Sequence, residues 1–348
     1  MLAAHAELRP FAFRRYVPSQ AFIEVAGRET AGLTCFDAPD TPARGISGTL
    51  TTIDHQLPGD VGLVVAGPHG VGSDEIDRHR RSGVFKALVV VSAGARPGLA
   101  PRNADSAEEP FGVPVLQVGS AARDSLEDLA RHRRHITVLT SGRTEAGTSA
   151  NVAVGRYETG GVAPLIVLTP RSGWWHCAAE RGGGLVCWLE AIRALDAGRE
   201  DRPVMFLATS GHELGYLGLR RALDADLSQL PKGTLWLHLG ANLGARGGIV
   251  RLAASDAELA ALATSVLEGA GCRLAGPPSV GGAMGEGSEL GRRGARYISI
   301  VGTNDWFHLR SDRWPDSVDD AEVKRLARAT SALAGILRDP MAGGGDWC

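Results

Sequence analysis

LIVLTPRSGWWHCAAERGGGLVCWLEAIRAL, residues Leu165–Leu195, decides the fold. It opens on a four-residue apolar run, Leu165–Leu168, short enough for a buried strand. It closes on an apolar–polar pattern that predicts a helix over Gly184–Ala197. Between them lies a loop that crowds Arg171, Ser172, Trp174, Trp175, Glu180 and Arg181 into a few residues.

The same strand-then-helix order recurs downstream. Strand-like runs are Val204–Thr209 (VMFLAT), Thr234–Leu239 (TLWLHL), Ile249–Ala253 (IVRLA) and Tyr297–Val301 (YISIV). Helix-like runs are Tyr216–Ser228, Asp256–Ala270 and Val318–Arg338, the last with Val323, Leu326, Ala327, Ala334 and Leu337 near helical spacing. Strands alternating with helices predict an α/β fold with a mainly parallel sheet flanked by helices. Ligands of such sheets bind beyond the carboxyl ends of the strands. The expected site is therefore built from Thr169–Gly184, SGHELGYLG (Ser210–Gly218), GANLG (Gly240–Gly244) and Asn304–Asp319. These segments hold Arg171, Glu180, Arg181, His212, Glu213, His308 and four of the seven tryptophans, a polar and aromatic convergence typical of a binding crevice.

Upstream the chain is rich in turns. Apolar runs at Val61–Ala66, Ala87–Ala93 and Val113–Val118, with helices near Ser73–Ser82 and Arg123–Arg131, suggest a small β-rich module over 21–142. Ala95–Pro110 reads as a loop, Ser141–Asn151 (SGRTEAGTSAN) as a linker, 1–20 as an N-terminal arm and 341–348 as a flexible tail. The expected second domain is 143–340.

The net charge of −2 offers no long-range attraction to nucleic acid or anionic membrane. Lysine occurs only at 86, 232 and 324, so arginine supplies the positive charge. No stretch reaches the length of a membrane span, and the N-terminal residues carry no secretory pattern. The five cysteines are widely spaced with no CxxC pair. A cytoplasmic setting is the expectation.

The crevice segments resemble the M28 zinc aminopeptidase family. CAAERGGG followed by LVCWLEAIRAL has the frame of that family's GA-x-DN-x-SG turn and helix; HELGYLG (His212–Gly218) has that of EE-L-G-x-x-G; and His308, Asp312, Asp316 and Asp319 reproduce the final H-x3-D-x3-D-x2-D frame. GEGSELGRRG (Gly285–Gly294) takes the place of the segment before it. The resemblance covers about 151–338 and implies the M28-type α/β sandwich. The first half is similar to a protease-associated (PA) domain, through VGLVVAG, FKALVVVSAG and VPVLQVGSAARDSLEDL.

Laid on that frame, the family's first His ligand falls at Arg171, the bridging Asp at Glu180, the general-base Glu at His212 and an Asp ligand at Gly240 or Ala241. The ligands at Glu213 and His308 are kept. The expectation is thus no metal and no other cofactor. Arg171 and Arg181 would then neutralise Glu180 and Glu213, because without a cation two such carboxylates repel. The alternative is one zinc held by Glu180, Glu213 and His308.

Three functions follow: a metal-independent enzyme acting on a peptide or amino-acid-derived amide or carboxylate; a zinc-dependent aminopeptidase with a single-metal site; or a pseudo-peptidase that only binds. In the first, His212, Glu213, Glu180, Arg171 and His308 are catalytic, and Arg181, Ser172, Trp174, Trp175 and Trp306 bind substrate. Cys177 beside His176 is a weaker nucleophile candidate, Ser210 lacks a nucleophile elbow, and His238 reads as a core histidine.

Overall fold

The structure, a computed structural model, describes residues 6–53, 60–67, 73–105, 107–155, 162–195, 202–225 and 227–339. The expected tail at 341–348 and the first five residues of the expected arm lie outside the described residues.

The chain runs β1 (Ala6–Val25), β2 (Arg28–Ala31), β3 (Leu33–Thr34), β4 (Ile46–Thr52), β5 (Val61–Ala66), α1 (Ser73–Ser82), β6 (Ala87–Ser92), β7 (Val115–Val118), α2 (Arg123–Arg131) and β8 (His135–Val154). It continues β9 (Leu165–Pro170), α3 (Gly182–Leu195), β10 (Val204–Thr209), α4 (Leu217–Asp224), β11 (Leu235–Leu239), β12 (Val250–Ala254) and α5 (Ala257–Gly269). Last come β13 (Ser279–Val280), α6 (Glu286–Arg292), β14 (Arg296–Gly302) and α7 (Asp320–Arg338).

Among the described residues 14 strands join one hydrogen-bonded sheet, ordered β13-β12-β14-β11-β9-β10-β8-β4-β5-β6-β7-β3, with β1 alongside β8 and β2 alongside β1. The pairings β14-β11-β9-β10 and β4-β5-β6-β7 are parallel, and the rest, β12–β13 apart, are antiparallel. The sheet is therefore mixed, with a parallel centre in each half.

Alternating side chains along β9 explain the layers. Leu165 and Val167 pack with Trp188 and Ala191 of α3, Leu259 of α5 and Leu333 of α7. Ile166 and Leu168 point the other way, onto Leu219 and Leu223 of α4 and Leu290 of α6. The first half repeats the scheme, with α2 on one face (Leu126, Ala130) and Ile76 of α1 on the other.

Residues 141–151, expected as a linker, instead form the middle of β8. They pair antiparallel with β1 from Arg9↔Asn151 to Gln20↔Ser141, so the expected arm is strand from Ala6 onward. This ribbon ties the two halves together, since β8 pairs with β4 at one end and β10 at the other.

β10 lies on one side of β9 and β11 on the other. That reversal opens a crevice beyond their carboxyl ends. α3 starts there, and Gly183 lets it approach closely: a Cβ at 183 would sit 1.6 Å from the Leu243 carbonyl oxygen.

Candidate functional site

Asp312 fixes the loop that enters α3. Its carboxylate accepts from the Ala179 amide at 2.8 Å, the Glu180 amide at 2.9 Å and the Ser317 hydroxyl at 2.5 Å. This places Glu180 and Arg181 inside the crevice, both buried. Nη2 of Arg181 reaches Oε1 of Glu180 at 3.0 Å and Oε1 of Glu213 at 2.7 Å, and its Nε donates to the Ser172 carbonyl.

Glu213 comes from the turn after β10, where Gly211 (φ 74°) and Gly215 (φ 76°) take the left-handed backbone that glycine tolerates. Ser172 locks this turn. Its hydroxyl donates to Oε2 of Glu213 at 2.7 Å and accepts from the amides of Gly211 at 2.9 Å and His212 at 3.2 Å. Burial alone would raise the Glu213 carboxyl, but the charges of Arg181 and His212 and the bond from Ser172 hold it below the ordinary range. Glu180 goes the other way: burial pushes its carboxyl up in spite of Arg181.

His308 sits at φ 60° and is buried. Its Nδ1 lies 2.5 Å from the Pro101 carbonyl oxygen, which can only accept, so Nδ1 carries the proton. Nε2 then presents a lone pair. It has no hydrogen-bond partner and lies 3.7 Å from Oε1 of Glu180. Burial, with Arg181 nearby, pushes the imidazole down to about 3, so it stays neutral.

His212 faces a cavity of about 250 Å³ shared by the two halves, lined also by Tyr216, His238, Glu286, Asp37 and Arg80. Across the turn lies a second cavity of about 460 Å³, walled by Phe11, Phe13, Tyr16, Phe36 and Trp174 and floored by Ser172 and Glu213.

The structure thus gathers Glu180, Arg181, Glu213, Ser172 and His308 at one point, with His212 beside it. Arg171 is not among them. It is exposed, and its guanidinium donates to the Ala150 carbonyl. Successive side chains of an extended segment face opposite sides, so Ser172 turns inward and Arg171 outward. Of the two arginines expected to neutralise the acids, it is Arg181 that pairs with them.

The three tryptophans divide between cavity wall and packing. Trp174 lines the larger cavity, donating to Asn103 at 2.9 Å, with its ring centroid 4.8 Å from that of Phe36 in an edge-on arrangement. Trp175 donates to the His308 carbonyl at 2.9 Å under the guanidinium of Arg310. Trp306 is covered by Arg96 at 3.5 Å. Neither Trp175 nor Trp306 lines the two cavities.

Sequence reasoning missed Glu286, and it gave His238 only a core role. No spacing signal links them to His212. Nδ1 of His212 and Oε1 of Glu286 are 2.8 Å apart although the residues are 74 positions apart.

The expectation of no cofactor does not stand. Cys177, Glu180 and Asp312 each offer a ligand atom, and these atoms lie within 4.8 Å of one another. A thiol and two carboxylates suit zinc, and three protein ligands are the number of a catalytic site. His308 Nε2, buried and without a hydrogen-bond partner, adds to the fit. Arg181 lies between Glu180 and Glu213.

No protein-family model matches the sequence, and no curated protein matches it. Solved structures do. BSAP, a zinc aminopeptidase from Bacillus subtilis, superposes with a TM-score of 0.69 at 15% identity over 96% of this chain and 85% of that one. An aminopeptidase from Aneurinibacillus sp. strain AM-1 gives 0.66 at 15% identity over 99% and 87%. A peptidase M28 precursor from Shewanella amazonensis SB2B gives 0.68 at 15% identity over 99% and 86%.

The fold is that of the M28-type aminopeptidases. Among the described residues no helix is long and apolar enough to cross a membrane.

Proposed function

We propose that the protein is a zinc-dependent hydrolase of the aminopeptidase type, with one ion rather than two, acting on a peptide or amino-acid amide. The observation that carries this is the Cys177–Glu180–Asp312 cluster, placed beyond the carboxyl ends of β9 and β14 in a fold shared with zinc aminopeptidases. A bound zinc would polarise the scissile carbonyl and lower the pKa of a coordinated water.

The chain's own groups divide the remaining work. Arg181 keeps Glu213 ionised, and Glu213 with Ser172 fixes the turn that carries His212. His212 takes and returns the proton, a role imidazole fills near neutral pH. The cavity walled by Phe11, Phe13, Phe36 and Trp174 takes an apolar side chain of the substrate. Residues 21–142 form a PA-like domain that closes one wall of the crevice through Asp37 and Arg80. The protein works in the cytoplasm, without nucleic acid.

Protein purified without chelator tests this by metal analysis and by hydrolysis of aminoacyl-nitroanilides. Stoichiometric zinc, and turnover that stops on chelation and returns with zinc, is the expected result. Zinc-free protein that binds none on titration overturns it.

A further inference from the structure

Three buried ionisable side chains from separate elements meet at the smaller cavity. Glu286 opens α6, His238 lies in β11 and His212 follows β10. Oε1 of Glu286 is 2.8 Å from Nδ1 of His212, and Oε2 is 3.5 Å from Nε2 of His238. At that distance His238 Nε2 and Glu286 Oε2 make an ion-pair contact but no hydrogen bond, and neither atom has a hydrogen-bond partner elsewhere. The far nitrogen of His238, Nδ1, lies 2.9 Å from the Ser299 hydroxyl. Glu286 and His238 are each at most 1% exposed. Gly285 suits this position by its backbone, at φ 58° and ψ −141°, a conformation glycine adopts readily, and its Cα faces the His212 and His238 rings.

The proton positions follow from the donor–acceptor inventory. An ionised carboxylate only accepts. Burial alone would raise Glu286, yet the two imidazoles hold it well below the usual carboxylate range. His212 therefore donates through Nδ1, which leaves Nε2 for the cavity. His238 turns Nε2 toward Oε2 of Glu286 without a hydrogen bond; with its proton on that nitrogen, facing the carboxylate, Nδ1 accepts from Ser299. A ligand-atom triangle for a second metal is not formed, because the described residues offer only the Cys177 cluster.

We propose that Glu286 is the positioning residue that fixes the ring orientation and tautomer of His212, and that His238, tethered by Ser299, holds the second oxygen of Glu286 in place. The unit replaces a single carboxylate base with an imidazole whose basic nitrogen is aimed by a buried acid. Its catalytic meaning rests on the acid–base role of His212 proposed above, but the hydrogen-bond arrangement stands without it.

The test is long-range proton–nitrogen NMR on full-length protein labelled at histidine, near pH 8, where free imidazole is neutral. Wild type should show His212 protonated at Nδ1 and His238 at Nε2, with His212→Gln giving the assignment. In Glu286→Gln the amide can accept at only one of its two ends, so one of the two imidazoles must switch tautomer. Wild-type His212 protonated at Nε2 overturns the proposal outright, with no variant needed, as does a folded Glu286→Gln with both tautomers unchanged. With an aminoacyl-nitroanilide, kcat of Glu286→Gln should fall about a hundredfold or more with KM little changed. If wild type cleaves no such substrate, the functional reading fails while the tautomers still decide this one.

Discussion

Nη2 of Arg181 lies 2.7 Å from Oε1 of Glu213, with both side chains almost fully buried. The same nitrogen touches Glu180 at 3.0 Å, so one fixed cation separates two buried acids. Removing it leaves uncompensated charge in a site with little water. Arg181→Met should cost about 3–5 kcal/mol, the usual range for breaking a buried pair on one side. The vacated space between the two carboxylates should then accept a divalent cation. Urea unfolding with and without zinc checks both points: the variant should regain stability with zinc by more than wild type does. Equal responses would show that Arg181 does not occupy an ion's position.

Cys177 and Asp312 are separable, although both belong to the candidate metal cluster. Asp312 also satisfies two backbone amides and the Ser317 hydroxyl. Asp312→Ala should therefore destabilise even chelated protein, by about 1–3 kcal/mol for each donor left unsatisfied. Cys177 accounts for none of these bonds, and burial with Glu180 nearby pushes its thiol up to about 12, so it is neutral without a metal. Cys177→Ala should leave chelated protein within about 1 kcal/mol of wild type and abolish the zinc-induced gain. Calorimetry on the two variants distinguishes ligand from anchor.

Arg171 and His212 should part company in kinetics. Arg171 is exposed and bonded to a strand carbonyl, so Arg171→Ala should leave kcat within about a factor of two and stability within about 0.5 kcal/mol. His212→Ala should lower kcat by about a hundredfold or more. A large loss in Arg171→Ala would mean that it swings into the crevice.

The contrast between Arg171 and Ser172 shows what was legible in the sequence. Alternating strand and helix patterns placed β9, β10, β11 and β14, and with them the crevice, because burial imposes periodicities of two and 3.6. Which side chain at a strand's end turns inward depends on one residue of register, and sequence does not carry that. Residues 141–151 failed for a related reason. Their strand is largely solvent-facing, so its Gly, Ser and Thr show no apolar alternation, and its partner strand is more than a hundred residues away. The Glu286–His212 contact was unreadable because tertiary structure alone brings α6 to the turn after β10.

His308 predicts acid sensitivity. Its folded value is about 3, against an ordinary value near 6.5. Below 6.5 the unfolded chain takes up a proton that the folded one refuses. The stabilising contribution is therefore fully present above about pH 6.5 and fades as pH falls towards 3. Urea midpoints of chelated protein at intervals from pH 5 to 8 should fall on acidification. His308→Gln, which can still donate to the Pro101 carbonyl, should show a shallower slope over pH 5–6.5. An unchanged slope would place the acid-sensitive group elsewhere.

Gly183 tests whether the crevice depends on how closely α3 approaches the segment after β11. A Cβ there would lie 1.6 Å from the Leu243 carbonyl oxygen, a backbone atom that no rotamer change can move. Gly182, one position earlier in the same helix, has open space around its Cβ position. Helix propensity alone favours Ala over Gly by about 1 kcal/mol at either site, so a purely local effect would stabilise both variants. Steric overlap reverses the sign at 183 only, because α3 must shift away from β11 and carry Glu180 and Arg181 with it. Gly182→Ala should be neutral or stabilising. Gly183→Ala should lose several kcal/mol, on the order of the larger overpacking penalties, together with zinc affinity and turnover. Thermal unfolding and zinc titration of the two variants side by side decide it: equal behaviour would mean that the helix does not hold the Glu180–Arg181 pair in place.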